Sequence, residues 1–138
     1  METSKPIVAV ANLASLDEKF VIHYNYNISY NSSENTSEIA LSWREILKII
    51  GPEFRTPSNT SGVAKALNQY MRDVVGRSYH RINFFMTNKE HILNQMELLG
   101  FMKANVYSLK TGGQGLFHTL TPAGVAEVLR LNAVTTSQ

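Results

Sequence analysis

The sequence predicts one α+β domain in which a β-hairpin follows several helices and is closed by a last helix. Three observations carry that expectation. The stretch EKFVIHYNYNISY, Glu18 to Tyr30, puts Phe20, Ile22, Tyr24, Tyr26, Ile28 and Tyr30 on one face, the period of a half-buried strand. Two segments open with S/T-x-x-E capping boxes, Ser42 to Glu45 and Thr87 to Glu90, ahead of apolar residues at helical spacing. Finally, SLKTGGQGLFHTL, Ser108 to Leu120, sets Gly112, Gly113 and Gly115 between two apolar runs.

The elements follow in order. PIVAVANL (residues 6–13) reads as a short strand, ASLDE as a turn, and the alternating stretch as a long strand. NSSENTSE (31–38) reads as a polar loop. LSWREILKIIGP is a helix with Trp43, Ile46, Leu47 and Ile50 on one face, stopped by Gly51 and Pro52. SGVAKALNQYMRDVVG is a second helix, capped near Thr60 or Ser61, with Val63, Leu67, Tyr70, Met71 and Val74 as its stripe. HRINFFM is a short strand. TNKEHILNQMELLG is a third helix with Ile92, Met96 and Leu99 inward, ending at Gly100. FMKANVYSL and LFHTL are the hairpin strands. Thr121 caps the last helix, Pro122 takes its first position, and Val125, Val128 and Leu129 anchor it. The expected division is an N-terminal β extension over 1–38, the main domain over 39–134 and a disordered tail over 135–138.

A phosphate-cradling glycine loop sits between a strand and a helix and closes with Lys-Ser/Thr. Here the glycines lie between two strands, and no lysine follows Gly115. The loop therefore reads as a hairpin turn, whose need is residues tolerant of positive φ. Lys110 is expected at its base and Gln114 at its tip.

Composition narrows the function. A length of 138 residues suits one domain with its own core. The chain has no cysteine, which removes disulfide frameworks and thiolate metal sites and agrees with a cytoplasmic setting. Met1 to Pro6 shows no signal-peptide pattern, and no apolar run approaches a membrane span, so no membrane partner is expected. The sequons at Asn27, Asn31, Asn35 and Asn59 read as turn and surface chemistry. His23, His80, His91 and His118 lack metal-ligand spacing, G-x-S-x-G is absent and the carboxylates are scattered. No enzyme activity, cofactor, metal or small-molecule substrate is expected.

Charge and the third helix point to binding. Residues 1–41 hold two Lys against five Asp/Glu, net −3; the rest holds eleven Lys/Arg against six, net +5. A basic body is compatible with a polyanion. The outer face of the third helix carries Glu90, His91, Asn94, Glu97 and Leu98, flanked by Lys89 and Gln95. Asn and Gln can read adenine edges, whereas two glutamates oppose phosphates and an outward Leu98 suits a protein contact. Arg77, Arg81, Lys103 and Lys110 are basic positions expected around the hairpin, which would then hold nucleic acid in place of the helix. The candidate nucleic-acid-binding residues are Arg77, Arg81, Lys89, His91, Asn94, Gln95, Lys103, Lys110 and Gln114. Tyr24, Tyr26 and Tyr30 could stack bases, but their even spacing favours the strand's buried face. A strand this long also threatens an unpaired edge, which pairing with residues 6–13 or with a second copy would satisfy.

Helix, hairpin, helix, after two helices and a short strand, is the order of a winged helix. The segments ALSWREILKIIGPEF, NQMELLGFM and LFHTLTPAGVAEVLRLNA resemble the winged-helix module of bacterial conflict and signalling proteins, where it sits behind TIR-like, caspase-like or NTPase domains. Trp43, Ile46, Gly51, Pro52, Gln95, Leu99, Gly100, Leu120, Thr121 and Gly124 carry the likeness, which covers roughly residues 20–133. It implies an α+β winged helix with an N-terminal β extension, acting in a bacterial, cytoplasmic system related to defence. Its role would be that of an accessory subunit binding nucleic acid, with DNA the leading candidate. The alternative is an adaptor that holds an effector protein or a second copy of itself. Two departures stand out: 138 residues leave no room for an effector domain, and RSYHRINFFM separates the second and third helices.

Overall fold

Ser42 joins the two halves of the fold. It is the last residue of strand β2 (Asn35–Ser42) and the N-cap of helix α1 (Trp43–Ile50). Its hydroxyl accepts from the Glu45 N–H at 3.1 Å, and the Glu45 carboxylate accepts from the Ser42 N–H at 2.8 Å. The expected capping box is thus formed. The computed structural model describes residues 15–76 and 79–137; the strand expected over 6–13, and Arg77, lie outside the described residues.

Strand β1 (Lys19–Asn27) is central in an antiparallel sheet of order β2-β1-β3, where β3 is Arg81–Phe84. It pairs with β2 from Lys19↔Ser42 to Tyr26↔Asn35, and with β3 from Tyr24↔Phe84 to Asn27↔Arg81. Where β3 stops, the Phe85 N–H donates to the His23 carbonyl at 3.0 Å and the His23 N–H donates to Asn88 Oδ1 at 2.7 Å. One edge of β1 is therefore paired along Lys19 to Tyr26 and the other from His23 to Asn27; the expected pairing with residues 6–13 lies outside the described residues. On the first of these edges the partner strand begins inside the expected loop, at Asn35 to Glu38. Only Leu41 and Ser42 of β2 are buried, and Asn35 to Glu38 hold no apolar residue to betray the strand's first half. Ser32 shapes the preceding turn, its hydroxyl accepting from the N–H groups of Ile28 and Ser29, each at 3.0 Å.

Helix α1 runs into a single 3-10 turn, Gly51–Phe54. Helix α2 (Thr60–Tyr70) is capped by Asn59, one residue earlier than expected; its Oδ1 accepts from the Ser61 N–H at 2.9 Å. It widens into a π turn over Met71–Val75, which takes Val74 off the apolar stripe and into solvent, and Gly76 ends it at φ 76°. Helix α3 (Met86–Leu98) begins with Phe85 as N-cap and no capping side chain. The Thr87 to Glu90 box does not form, because β3 leads so directly into the helix that Thr87 lies inside it.

Strands β4 (Met102–Ser108) and β5 (Gln114–Leu120) make the second sheet, paired from Met102↔Leu120 to Ser108↔Gln114. The turn takes residues 109–113: the Leu109 N–H donates to the Gly113 carbonyl at 3.1 Å and the Gly112 N–H to the Leu109 carbonyl at 3.0 Å. Gly112 and Gly113 supply the positive φ, 96° and 78°. Lys110 is consequently in the turn and Gln114 opens β5, the reverse of the expected base and tip. Helix α4 (Pro122–Ser137) starts where Thr121 Oγ1 accepts from the Gly124 N–H at 3.0 Å and donates to the Gly100 carbonyl at 2.6 Å. Its inward residues are Gly124, Val128 and Leu131; Val125 and Leu129 face solvent, not the core as expected.

One α+β core results. Ile22, Tyr24 and Leu41 of the larger sheet pack with Ile46, Ile50, Phe54, Val63, Leu67, Ile92 and Met96 of the helical layer. The division expected at residue 38 falls inside β2, whose strand partner contributes to that shared core. The backbone of α4 likewise continues past the division expected at residue 134. Tyr24 is buried and Tyr26 half-buried, while Tyr30 lies beyond the strand and is exposed.

Candidate functional site

The two faces of the β4–β5 hairpin differ in chemistry, and the register sorts them. Directly paired residues share a face. One face carries Met102/Leu120, Ala104/His118 and Val106/Leu116; the other carries Lys103/Thr119, Asn105/Phe117 and Tyr107/Gly115.

The second face is aromatic and basic. Tyr107 and Phe117 meet edge to face, with centroids 5.7 Å apart. Gly115 makes this arrangement possible: a Cβ there would sit 2.7 Å from the Phe117 ring. So the three glycines divide their work, two supplying positive φ and the third making room for an aromatic ring. With Pro57, Ser108, Leu109 and Lys110, the two rings line a cleft of about 290 Å³. The segment Arg55–Pro57 runs alongside β5, held by the Thr119 hydroxyl donating to the Phe54 carbonyl at 3.2 Å and by a two-way bridge between Ser58 and His118. Arg55, Lys103 and Lys110 are exposed and make no ion pair with any described residue, unlike Lys19, Arg44, Lys65 and Arg130. From Leu98 to Ala126 the chain holds no carboxylate at all.

The first face is apolar and meets acid. Near the helices it is buried, but Val106 and Leu116 are 60% and 59% exposed. A cleft of about 380 Å³ lies between Leu116 and His118 on this face, Glu90, Leu93 and Asn94 on α3, and the start of α2. At about 100° per residue, Glu90, Leu93, Asn94 and Glu97 fall on one stripe of α3, while Leu98 is rotated off it. His118 is buried and its Nε2 lies 3.3 Å from Glu97 Oε1. An ionised carboxylate only accepts, so Nε2 carries the hydrogen there. Nδ1 is buried with no hydrogen-bond partner among the described residues.

The expected site residues separate accordingly. Lys103, Lys110 and Gln114 lie on or at the end of the hairpin. Asn94 lines the acidic cleft. Gln95 is 5% exposed, so it faces the core and cannot reach a ligand; helical drift puts it on the inner side of α3. The His91 ring packs on Phe20 and Trp43, with centroids at 5.0 and 5.8 Å, and remains exposed. Lys89 is half-buried on α3, and Arg81 stands opposite Asn27 in the other sheet, not beside the hairpin. Arg77 lies outside the described residues. Sequence reasoning missed Arg55, Tyr107 and Phe117. The alternation of Tyr107 with Asn105 and Lys103 was the available signal, but which face would be left uncovered was not readable.

Perturbed titrations fall elsewhere. The Ser42 backbone N–H holds the Glu45 carboxyl below the usual carboxylate range, and the Arg130 guanidinium does the same for Glu127. Burial pushes the Tyr70 phenol up. None of these lines either cleft. Among the described residues no group of three or more His, Cys, Asp or Glu is placed to hold a metal ion, and no helix is long and apolar enough to cross a membrane. Comparison with protein families, with characterised proteins and with solved structures finds no match to this chain.

Proposed function

We propose that this chain is a nucleic-acid-binding winged-helix subunit that grips its ligand with the hairpin. The arrangement of three helices, a two-stranded hairpin and a closing helix supports the winged-helix reading. One observation carries the functional part: half-exposed Tyr107 and Phe117 share a hairpin face with Lys103, with exposed Lys110 in the adjoining turn and Arg55 on the segment alongside β5, none of the three cations ion-paired to a described residue. Aromatic faces stack bases of any identity, and flanking cations neutralise phosphates. Helix α3 does not act as the reader in this proposal, since its outer stripe presents Glu90 and Glu97 and its Gln95 is buried. Stacking requires unstacked bases, so single strands, DNA or RNA, bind more tightly than duplex. As a subunit of a bacterial, cytoplasmic system, the chain would deliver such strands to a partner, consistent with the defence setting that its motifs suggest.

Titration of labelled single-stranded DNA, RNA and duplex at low salt tests this. Tyr107→Ala and Phe117→Ala should each weaken single-strand binding by about 1–3 kcal/mol while circular dichroism shows the fold retained. A flat titration with folded wild type would sink the proposal.

A second reading has its own observation. Val106 and Leu116 form a cross-strand apolar pair, exposed beside the acidic cleft. That surface suits an adaptor that holds a protein.

A further inference from the structure

We infer that the cleft between α3 and the Val106/Leu116 face docks a cationic amphipathic segment of a partner protein. The inference rests on the adaptor reading and specifies what the adaptor would hold. Its basis is the charge and shape of the cleft. The floor is made by buried Leu93 and by buried His118, whose Nε2 is committed to Glu97, with Asn59, Thr60 and Asn94 adding polar lining. One wall is the hairpin, where Leu116 is 59% exposed and backed by Val106 across the ladder. The other is the α3 stripe, on which Glu90 projects and makes no ion pair with a described residue. No described Lys or Arg lines the cleft.

Each class of occupant meets this surface differently. A polyanion would bring phosphates toward Glu90 and Glu97 without a cation to receive them. An acidic peptide would meet the same repulsion. A purely apolar segment would cover Leu116 and Val106 but would strip water from Glu90 without replacing it. An amphipathic segment with a leucine-like side chain on Leu116 and a Lys or Arg beside Glu90 satisfies both walls. The hairpin would then carry nucleic acid on one face and protein on the other, so the two partners would not compete.

The test uses the full chain and two synthetic amphipathic peptides, one of leucine and lysine and one of leucine and glutamate, titrated calorimetrically. The leucine–lysine peptide is expected to bind. Glu90→Lys should weaken it by about tenfold or more, and Leu116→Ser by about fivefold. Lys110→Glu, on the opposite side, should not weaken it. Both positions are exposed, so folding should survive, and circular dichroism checks that it does. If the leucine–glutamate peptide binds instead, and Leu116→Ser abolishes it, the adaptor reading stands and the charge assignment is overturned. If neither peptide binds, both are overturned. Binding indifferent to Glu90→Lys and Leu116→Ser would overturn the placement. A mass in sedimentation that falls from dimer to monomer on Leu116→Ser would put a second copy in the cleft, and single-strand binding lost on that same substitution would put nucleic acid there; each result overturns the inference.

Discussion

Replacing Lys103 and Lys110 together with Gln should change how binding responds to salt more than it changes the fold. Both side chains are exposed, with no described ion pair to break, so stability should move little. With Arg55, on the segment alongside β5, they make three exposed cations that pair with no described carboxylate. Each phosphate contact contributes about 0.7 to the slope of log affinity against log salt for single strands, and about 0.9 for duplex. Three contacts give a slope of about −2.1, so raising salt from about 50 to about 200 mM should cost wild type about 18-fold in single-strand affinity. The double variant keeps one contact and should lose only about threefold over the same range. Fluorescence anisotropy with a labelled single strand at several salt concentrations measures both slopes. Lys65→Gln is the control, because Lys65 already pairs with Glu53 at 3.7 Å on another element. An unchanged slope in the double variant would refute the reasoning, as would an equal drop in the control.

Three further outcomes follow from the packing. Gly124→Ala should destabilise by on the order of 1–3 kcal/mol, because its Cβ would collide with the Phe101 carbonyl that also accepts from the Thr121 N–H; an unchanged urea midpoint would show that the contact can relax. Ser42→Ala should cost about 1 kcal/mol, and Glu45→Gln should flatten the acid side of the stability curve. Glu45 titrates below its unfolded value, so the stability it adds is present above the unfolded pKa and is lost as pH falls through the lowered folded one; an acid limb that is identical in the Glu45 variant would contradict this. Asn88→Leu should leave the partly buried His23 N–H without an acceptor, costing about 1–3 kcal/mol and speeding exchange of that amide, and protection equal to wild type would count against the proposed closure of the β1 edge.

Much of the local structure was set by the sequence. The alternation of Phe20 to Tyr26 made β1 a strand, Ser42 and Glu45 began α1, and Gly112 with Gly113 turned the hairpin, each through chemistry confined to a few neighbouring residues. Tertiary structure decided the rest. β2 is a strand because β1 offers it hydrogen bonds, not because Asn35 to Ala40 alternate. Gly51 and Gly115 adopt no left-handed conformation; they are small because Val128 and Phe117 lie against them, which no local signal announces. The site shows the same limit. The residue types at Gln95, His91, Tyr107 and Phe117 were all legible, but exposure depends on what packs over each. Helix α3 turned Gln95 into the core and laid His91 on the Phe20–Trp43 stack, while the hairpin left Tyr107 and Phe117 only half covered beside Lys103. Burial is a property of the neighbour as much as of the residue, and those neighbours lie far away in sequence.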